Sequence, residues 1–208
     1  HYDYWDDTLM PTILATCGAD LLIYGMGELP LKEIANRCKR GESIFDMHDV
    51  PQTSYLIEGN KIPEYDGETF ELFPHLECCK DKMKQAKNFR VIEEESNKME
   101  ARRLIQRIDK NHVTVVNPPF PVMESKDLDA SFDLPYTRLP HPKYKGKRIP
   151  AYDIIKFSIN IHRGCFGGCS FCAISAHQGK RITSRSKESI MREVREVCEH
   201  PEFKGYLS

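Results

Sequence analysis

The sequence predicts an α/β protein, and three observations carry that expectation. Ala19-Asp20-Leu21-Leu22-Ile23-Tyr24 is a short apolar run of the kind buried in a parallel sheet. Leu31, Ile34, Ala35 and Cys38 then recur at helical spacing. Near the other end, the apolar stretch 154–161 leads into a loop rich in glycine and cysteine. A helical pattern follows over residues 187–199. That order of strand, loop and helix sets the loop at the carboxyl end of a strand, where α/β proteins place their ligand sites.

In chain order, residues 4–14 predict an amphipathic helix, as though the chain opened in the middle of one. Gly25-Met26-Gly27-Glu28 turns the chain, Pro30 suits a first helical turn and Gly41 suits the helix end. Ser54-Tyr55-Leu56-Ile57 is a further strand ended by Gly59-Asn60. Residues 1–62 therefore resemble the C-terminal part of a Rossmann-like, doubly wound domain. Residues 63–150 form a connector. Its first part, 63–110, is polar and mostly helical, with Leu104, Ile105 and Ile108 as one apolar edge. Residues 113–116 are a short strand. Residues 117–150 are proline-rich without periodicity, which predicts an ordered linker and no helix. Residues 151–208 start a second domain. Residues 154–161 are its first strand, Ser186 caps its helix, Ile190, Val194, Val197 and Cys198 share one helical face, and residues 205–208 begin another strand.

Composition narrows the function classes. The 208 residues carry a net charge of −1, which argues against wholesale nucleic-acid coating but not against a local basic patch at Lys143, Lys145, Lys147 and Arg148. No run of eighteen apolar residues suits a membrane span. The opening His1-Tyr2-Asp3-Tyr4-Trp5 has no signal-peptide pattern. Of eight cysteines, three crowd into one short run, which in a reducing compartment means metal or redox chemistry; the expected location is cytoplasmic. The adjacent Cys78 and Cys79 would bridge only with strain, and are expected to pack as small apolar side chains.

The run is Arg163-Gly164-Cys165-Phe166-Gly167-Gly168-Cys169-Ser170-Phe171-Cys172. Three thiolates this close converge on one small object only if the backbone wraps it tightly, and Gly164, Gly167 and Gly168 permit that. A cubane of four irons ordinarily takes four cysteines, so three would leave one iron open to an outside ligand. A catalytic cluster needs such a vacancy; an electron carrier does not.

Cys-x3-Cys-x2-Cys with an aromatic residue before the last cysteine resembles the signature of radical S-adenosylmethionine enzymes. The likeness is closer still to the YgiQ-type family. It runs through residues 19–28, Asn117-Pro118-Pro119, Leu134-Pro135-Tyr136-Thr137-Arg138, His141-Pro142 and, as its longest stretch, 162–186. The resemblance implies that Cys165, Cys169 and Cys172 ligate a 4Fe-4S cluster. It places Phe171 and the backbone around Ser170 near the adenine of S-adenosylmethionine. It sets Arg185, with Arg181, toward the cofactor's carboxylate or the substrate, although arginines just before a helix are ordinarily solvated. It also implies reductive cleavage to a 5′-deoxyadenosyl radical, a one-electron reductant such as flavodoxin or ferredoxin, and a substrate left open between a small molecule and RNA. The second domain would begin an incomplete (β/α) partial barrel. Little chain follows Cys172, so these residues alone are expected neither to complete the barrel nor to turn over.

Other readings stay open. A structural zinc site could use the three cysteines with His162 or His177, though no second ligand pair is visible. An electron-transfer module could close its cluster with Cys198 or Cys38. Cys169-Ser170-Phe171-Cys172 fits a thiol–disulfide motif, which leaves Cys165 without a role. Gly25-Met26-Gly27-Glu28 lacks the third glycine of a dinucleotide fingerprint. Asp46-Met47-His48 starts like a cobalamin motif, but Pro51 stands where that motif has glycine.

Overall fold

Local side-chain bonding decides the first turns of the chain. The structure, a computed structural model, describes residues 2–207. Strands β1 (Tyr2–Asp3) and β2 (Thr8–Leu9) pair antiparallel, and β2 lies inside the stretch 4–14 for which the sequence predicts a helix. Asp3 Oδ1 accepts the Trp5 N–H at 2.9 Å and Asp7 Oδ1 accepts the Tyr2 hydroxyl at 2.5 Å. Such short-range bonds compete with helical ones, and Pro11 would interrupt a helix besides. Helix α1 (Leu14–Cys17) stops at Gly18, where φ is +68°. Strand β3 (Leu22–Ile23) is shorter than its apolar run and pairs antiparallel, not parallel. Helix α2 (Glu28–Lys39) forms as expected and is followed by Gly41 at φ +85°.

A mixed sheet follows. Strands β4 (Thr53–Glu58), β5 (Thr69–Leu72), β6 (Arg103–Arg107) and β7 (His112–Val116) join β3 in the order β3-β4-β7-β6-β5. Only β5 and β6 pair in parallel. Segment 63–110 is therefore not mostly helical. Between β5 and β6 lie α3 (His75–Cys78) and α4 (Lys82–Ser96), while Leu104 and Ile105 sit on β6, facing Val116 and Val115 of β7. The sheet thus runs across residue 62, where the sequence placed a domain end. The chain falls into two units, His1–Pro121 and Val122–Ser208.

In the first unit, Tyr55, Val113 and Val115 form one buried cluster, with Ile57 and Ile105 against it. Ile34, Met47 and Val50 form another beneath Phe120. Each such aliphatic side chain stabilises the fold by about 1.5–3 kcal/mol. Asn117-Pro118-Pro119 ties the clusters together. Asn117 Nδ2 donates to the carbonyls of His48 and Val50, each at 2.9 Å, and its Oδ1 accepts Arg103 Nε at 2.8 Å. Pro118 O accepts the Gln52 N–H at 2.7 Å. His48 stacks on Tyr55 with ring centres 4.4 Å apart and Met47 is fully buried, so Asp46-Met47-His48 has a packing role here.

The second unit has little sheet. Helix α5 (Ser125–Phe132) lies in the stretch expected to hold no helix. Leu128, at its centre, is fully buried, so one apolar side chain serves where no repeating pattern announces a helix. The expected strand 154–161 is also absent. Helix α6 (Pro150–Ile155) takes its first residues, with Pro150 in the first turn, where a missing N–H costs nothing. The carbonyls beyond it are met by side chains: Arg138 Nη1 reaches Lys156 O at 3.2 Å and Ser158 O at 3.5 Å, and Arg185 Nη1 reaches Asn160 O at 2.9 Å. Arginine groups occupy acceptors that a neighbouring strand would otherwise take.

Strand β8 (His162–Arg163) pairs antiparallel with β9 (Thr183–Ser184), and α7 (Ile174–Gln178) lies between them. Helix α8 (Lys187–Cys198) forms as predicted. Ser186 Oγ accepts the Ser189 N–H at 3.1 Å, and Ile190, Val194 and Val197 turn inward, but Cys198 is exposed. Residues 205–207 form no strand; Ser208 lies outside the described residues.

Candidate metal centre in the cysteine loop

The loop between β8 and α7 has a fixed neck and an open tip. At the neck, Gly164 is buried with φ +88°, and a Cβ there would lie 1.8 Å from Arg181 O, so glycine is required. Gly164 N–H donates to Gln178 Oε1 at 3.3 Å and Cys165 N–H to Gly179 O at 3.1 Å. The segment 178–181 thus closes the base of the loop.

Toward the tip, Gly167 lies between two of the sulfurs. A Cβ on it would lie 3.4 Å from Cys165 Sγ and 3.7 Å from Cys169 Sγ. Its N–H points at Cys165 Sγ at 3.4 Å. Cys172 joins through its backbone, its N–H donating to Cys169 O at 3.0 Å. All three thiols are free, with Cys165 and Cys172 half-buried and Cys169 exposed. Among the described residues, no set of three His, Cys, Asp or Glu side chains is gathered closely enough to hold a metal as it stands. The donor chemistry nevertheless fits an iron–sulfur cluster: three soft sulfurs on one glycine-bearing loop, two of them already against the Gly167 backbone.

The remaining expected residues divide. Phe171 is 90 % exposed, with Ser170 exposed beside it; both stand on the tip. Arg181 is exposed, as are His162 and His177. Arg185 departs from the expectation that it meets a cofactor. Its side chain is fully buried and engaged: Nε and Nη2 reach Ser189 Oγ at 3.2 and 2.8 Å, Nη1 pairs with Glu193, and the guanidinium lies 4.3 Å from the Phe132 ring centre. Burial pulls its pKa down while Asp129 and Asp133 oppose that. Arg185 is a structural hub.

Sequence reasoning missed the partner of that hub. Glu193 holds Arg185 through one oxygen and Arg138 through the other. Arg138 takes a left-handed φ of +55°, and its own carbonyl accepts the Tyr152 hydroxyl at 2.8 Å. The available signal was spacing: Ser189, Glu193 and Val197 follow one another at four-residue steps on the inward face of α8. Elsewhere, Cys78 is buried, its Sγ accepting Asn88 Nδ2 at 3.2 Å, and burial pushes its thiol pKa up. Cys79 instead faces solvent 3.5 Å from His75 Nε2, so only Cys78 packs as an apolar side chain.

Comparison with known proteins now adds to the geometry. A UPF0313 protein of Bacteroides thetaiotaomicron is 58 % identical over 220 residues, covering 100 % of this chain and 35 % of the relative. A UPF0313 protein of Porphyromonas gingivalis is 58 % identical over 208 residues, covering 100 % of this chain and 33 % of the relative. The UPF0313 protein YgiQ of Escherichia coli is 35 % identical over 261 residues, again covering 100 % of this chain and 35 % of the relative. The chain therefore spans about a third of the length of these relatives. No solved structure matches. A family profile described as Radical SAM N-terminal matches residues 1–158, which take in the mixed sheet and end before Cys165, and by that match the chain belongs to the Radical SAM N-terminal family.

Proposed function

We propose that the parent protein is a radical S-adenosylmethionine enzyme and that Cys165, Cys169 and Cys172 hold its 4Fe-4S cluster. The observation that supports this most is the Gly167 backbone set against both Cys165 Sγ and Cys169 Sγ, above a neck that only glycine can form at position 164. When bound, the cluster and S-adenosylmethionine supply one-electron cleavage of a carbon–sulfur bond, giving a 5′-deoxyadenosyl radical that takes hydrogen from a substrate.

The chain's own residues prepare the place. The Gly167 N–H points at the Cys165 sulfur. The 178–181 segment holds the neck, so the tip can close around the metal without moving the β8–β9 pair. Phe171 offers an apolar face, and the backbone at Ser170 offers polar groups, to the adenine. Cys165, Cys169 and Cys172 would hold the cluster with three thiols, which would leave room for the cofactor's amino and carboxylate groups. The one-electron donor is of the flavodoxin or ferredoxin kind.

The test is anaerobic reconstitution of the full-length protein, followed by iron and sulfide analysis and electron paramagnetic resonance with and without S-adenosylmethionine. About four irons and four sulfides per chain are expected. Each of Cys165→Ala, Cys169→Ala and Cys172→Ala should lose most of them, and the cofactor should change the signal. Zinc in place of iron, or full metal retention in the triple variant, overturns the proposal. A spectrum indifferent to S-adenosylmethionine would make the protein an electron carrier instead.

A further inference from the structure

Residues 134–152 contain no Asp or Glu but carry Arg138, Lys143, Lys145, Lys147 and Arg148, in a protein whose net charge is −1. The two arginines are committed within their unit, Arg138 to Glu193 and Arg148 to Asp153. No ion pair among the described residues takes Lys143, Lys145 or Lys147, and all three are exposed.

The lysines are also displayed on a built surface. His141 Nδ1 accepts the Lys143 N–H at 3.2 Å, which caps a 3-10 turn over Pro142–Tyr144. Lys145 N–H then bonds to Pro142 O at 3.0 Å and Lys147 N–H to Tyr144 O at 2.9 Å, with Gly146 at φ +77° letting the chain continue. Two aromatic rings stand among the charges. Tyr136 is 65 % exposed and Tyr144 is 40 % exposed, with Lys143 Nζ 4.9 Å from the Tyr144 ring centre. A merely solvated linker needs neither the cap nor the rings.

From this we infer that the strip at residues 136–148 binds a single-stranded polynucleotide, with Lys143, Lys145 and Lys147 on phosphates and Tyr144 under a base. Cations free of ion pairs beside exposed aromatic rings are the usual means of holding unstacked strands. Lysine acts on phosphate as a point charge and needs no fixed fork. The inference does not depend on the cluster, because none of these residues belongs to the cysteine loop.

The test measures binding of a fluorescent oligouridine of about 15 nucleotides to the full-length protein by anisotropy, from low to moderate salt. Three phosphate contacts predict a log–log salt slope of about −2, hence roughly a 20-fold loss of affinity between 50 and 200 mM salt. The combined Lys143→Ala, Lys145→Ala and Lys147→Ala variant should bind at least about tenfold more weakly and lose most of that slope. Tyr144→Ala should weaken oligouridine or oligothymidine by about tenfold and leave heparin unaffected. Comparing the two oligonucleotides tells RNA from DNA. The variant with all three loop cysteines changed to alanine should bind as the wild type does, so failure of the cluster proposal remains separate. The inference falls if no oligonucleotide binds, if the triple lysine variant binds unchanged, or if heparin or phosphatidylserine vesicles show the whole lysine-dependent effect with none on the oligonucleotides.

Discussion

In residues 1–121 most strand backbone groups pair with other strands, whereas in residues 122–208 arginine side chains meet several backbone carbonyls. Strands β4 and β7 pair over five residues, Ser54 to Glu58 against Val116 to His112, and the clusters around Tyr55 and Val115 close over them. In the second unit, the carbonyls of Lys156, Ser158 and Asn160 depend on Arg138 and Arg185, and both arginines depend on Glu193. Apolar side chains there remain in solvent: Ile154 is 75 % and Phe171 90 % exposed. Removing one side chain from a ladder leaves its hydrogen bonds in place. Removing one from the arginine network leaves charges buried without a partner. The second unit should therefore be the more sensitive to single polar substitutions.

The largest expected effect is Glu193→Gln. Breaking a buried pair by removing one charge costs about 3–5 kcal/mol. Hydrogen exchange on the full-length protein should show lost protection in α8 and β9 and unchanged protection in β4 and β7. Equal loss in β4 and β7 would erase the distinction between the units. Gly164→Ala comes next, since the added methyl meets Arg181 O and the residue must keep φ +88°. Overpacking and a left-handed conformation together cost about 2–4 kcal/mol. Gly168 has φ +59° but nothing within 4 Å of an added Cβ, so Gly168→Ala should cost only about 1 kcal/mol. Thermal unfolding and iron retention of the two variants measure the difference. Equal losses would mean that the neck is not what holds the loop.

The same contrast explains what could be read from the sequence. Helices α2 and α8 and strands β4 and β7 were legible because periodicity, caps and burial agree in them. Leu104 and Ile105 misled because a short apolar run suits helix and strand alike. The start of the chain misled because Asp3 and Asp7 bond locally, and residues 154–161 misled because distant arginines meet their carbonyls. At the site, cysteine spacing pointed to the loop and glycine to its neck. Arg185 could not be placed: a buried arginine and a surface one are written alike, and what separates them here is Glu193, one helix turn beyond Ser189.

A further effect, comparable to that at Gly164, tests a charge-held joint in the first unit. Glu95, on α4, is buried and accepts Arg102 N–H at 2.9 Å and Lys98 Nζ at 2.8 Å, which pins the chain where it enters β6. Burial alone would raise its pKa, but the bonds from Arg102 and Lys98 outweigh that and lower it from 4.5 to about 2. A depressed carboxyl stabilises the fold above its unfolded pKa and loses that contribution as pH falls through the folded one. The full contribution, about 2–3 kcal/mol, should be present at pH 6 and fade between about pH 4.5 and 2. Glu95→Gln should remove it at neutral pH and flatten that part of the acid response. Hydrogen exchange of the α4 amides in wild type and variant, from pH 6 downward, reads the difference directly. A gap that stayed constant with pH would mean that Glu95 acts through shape rather than charge.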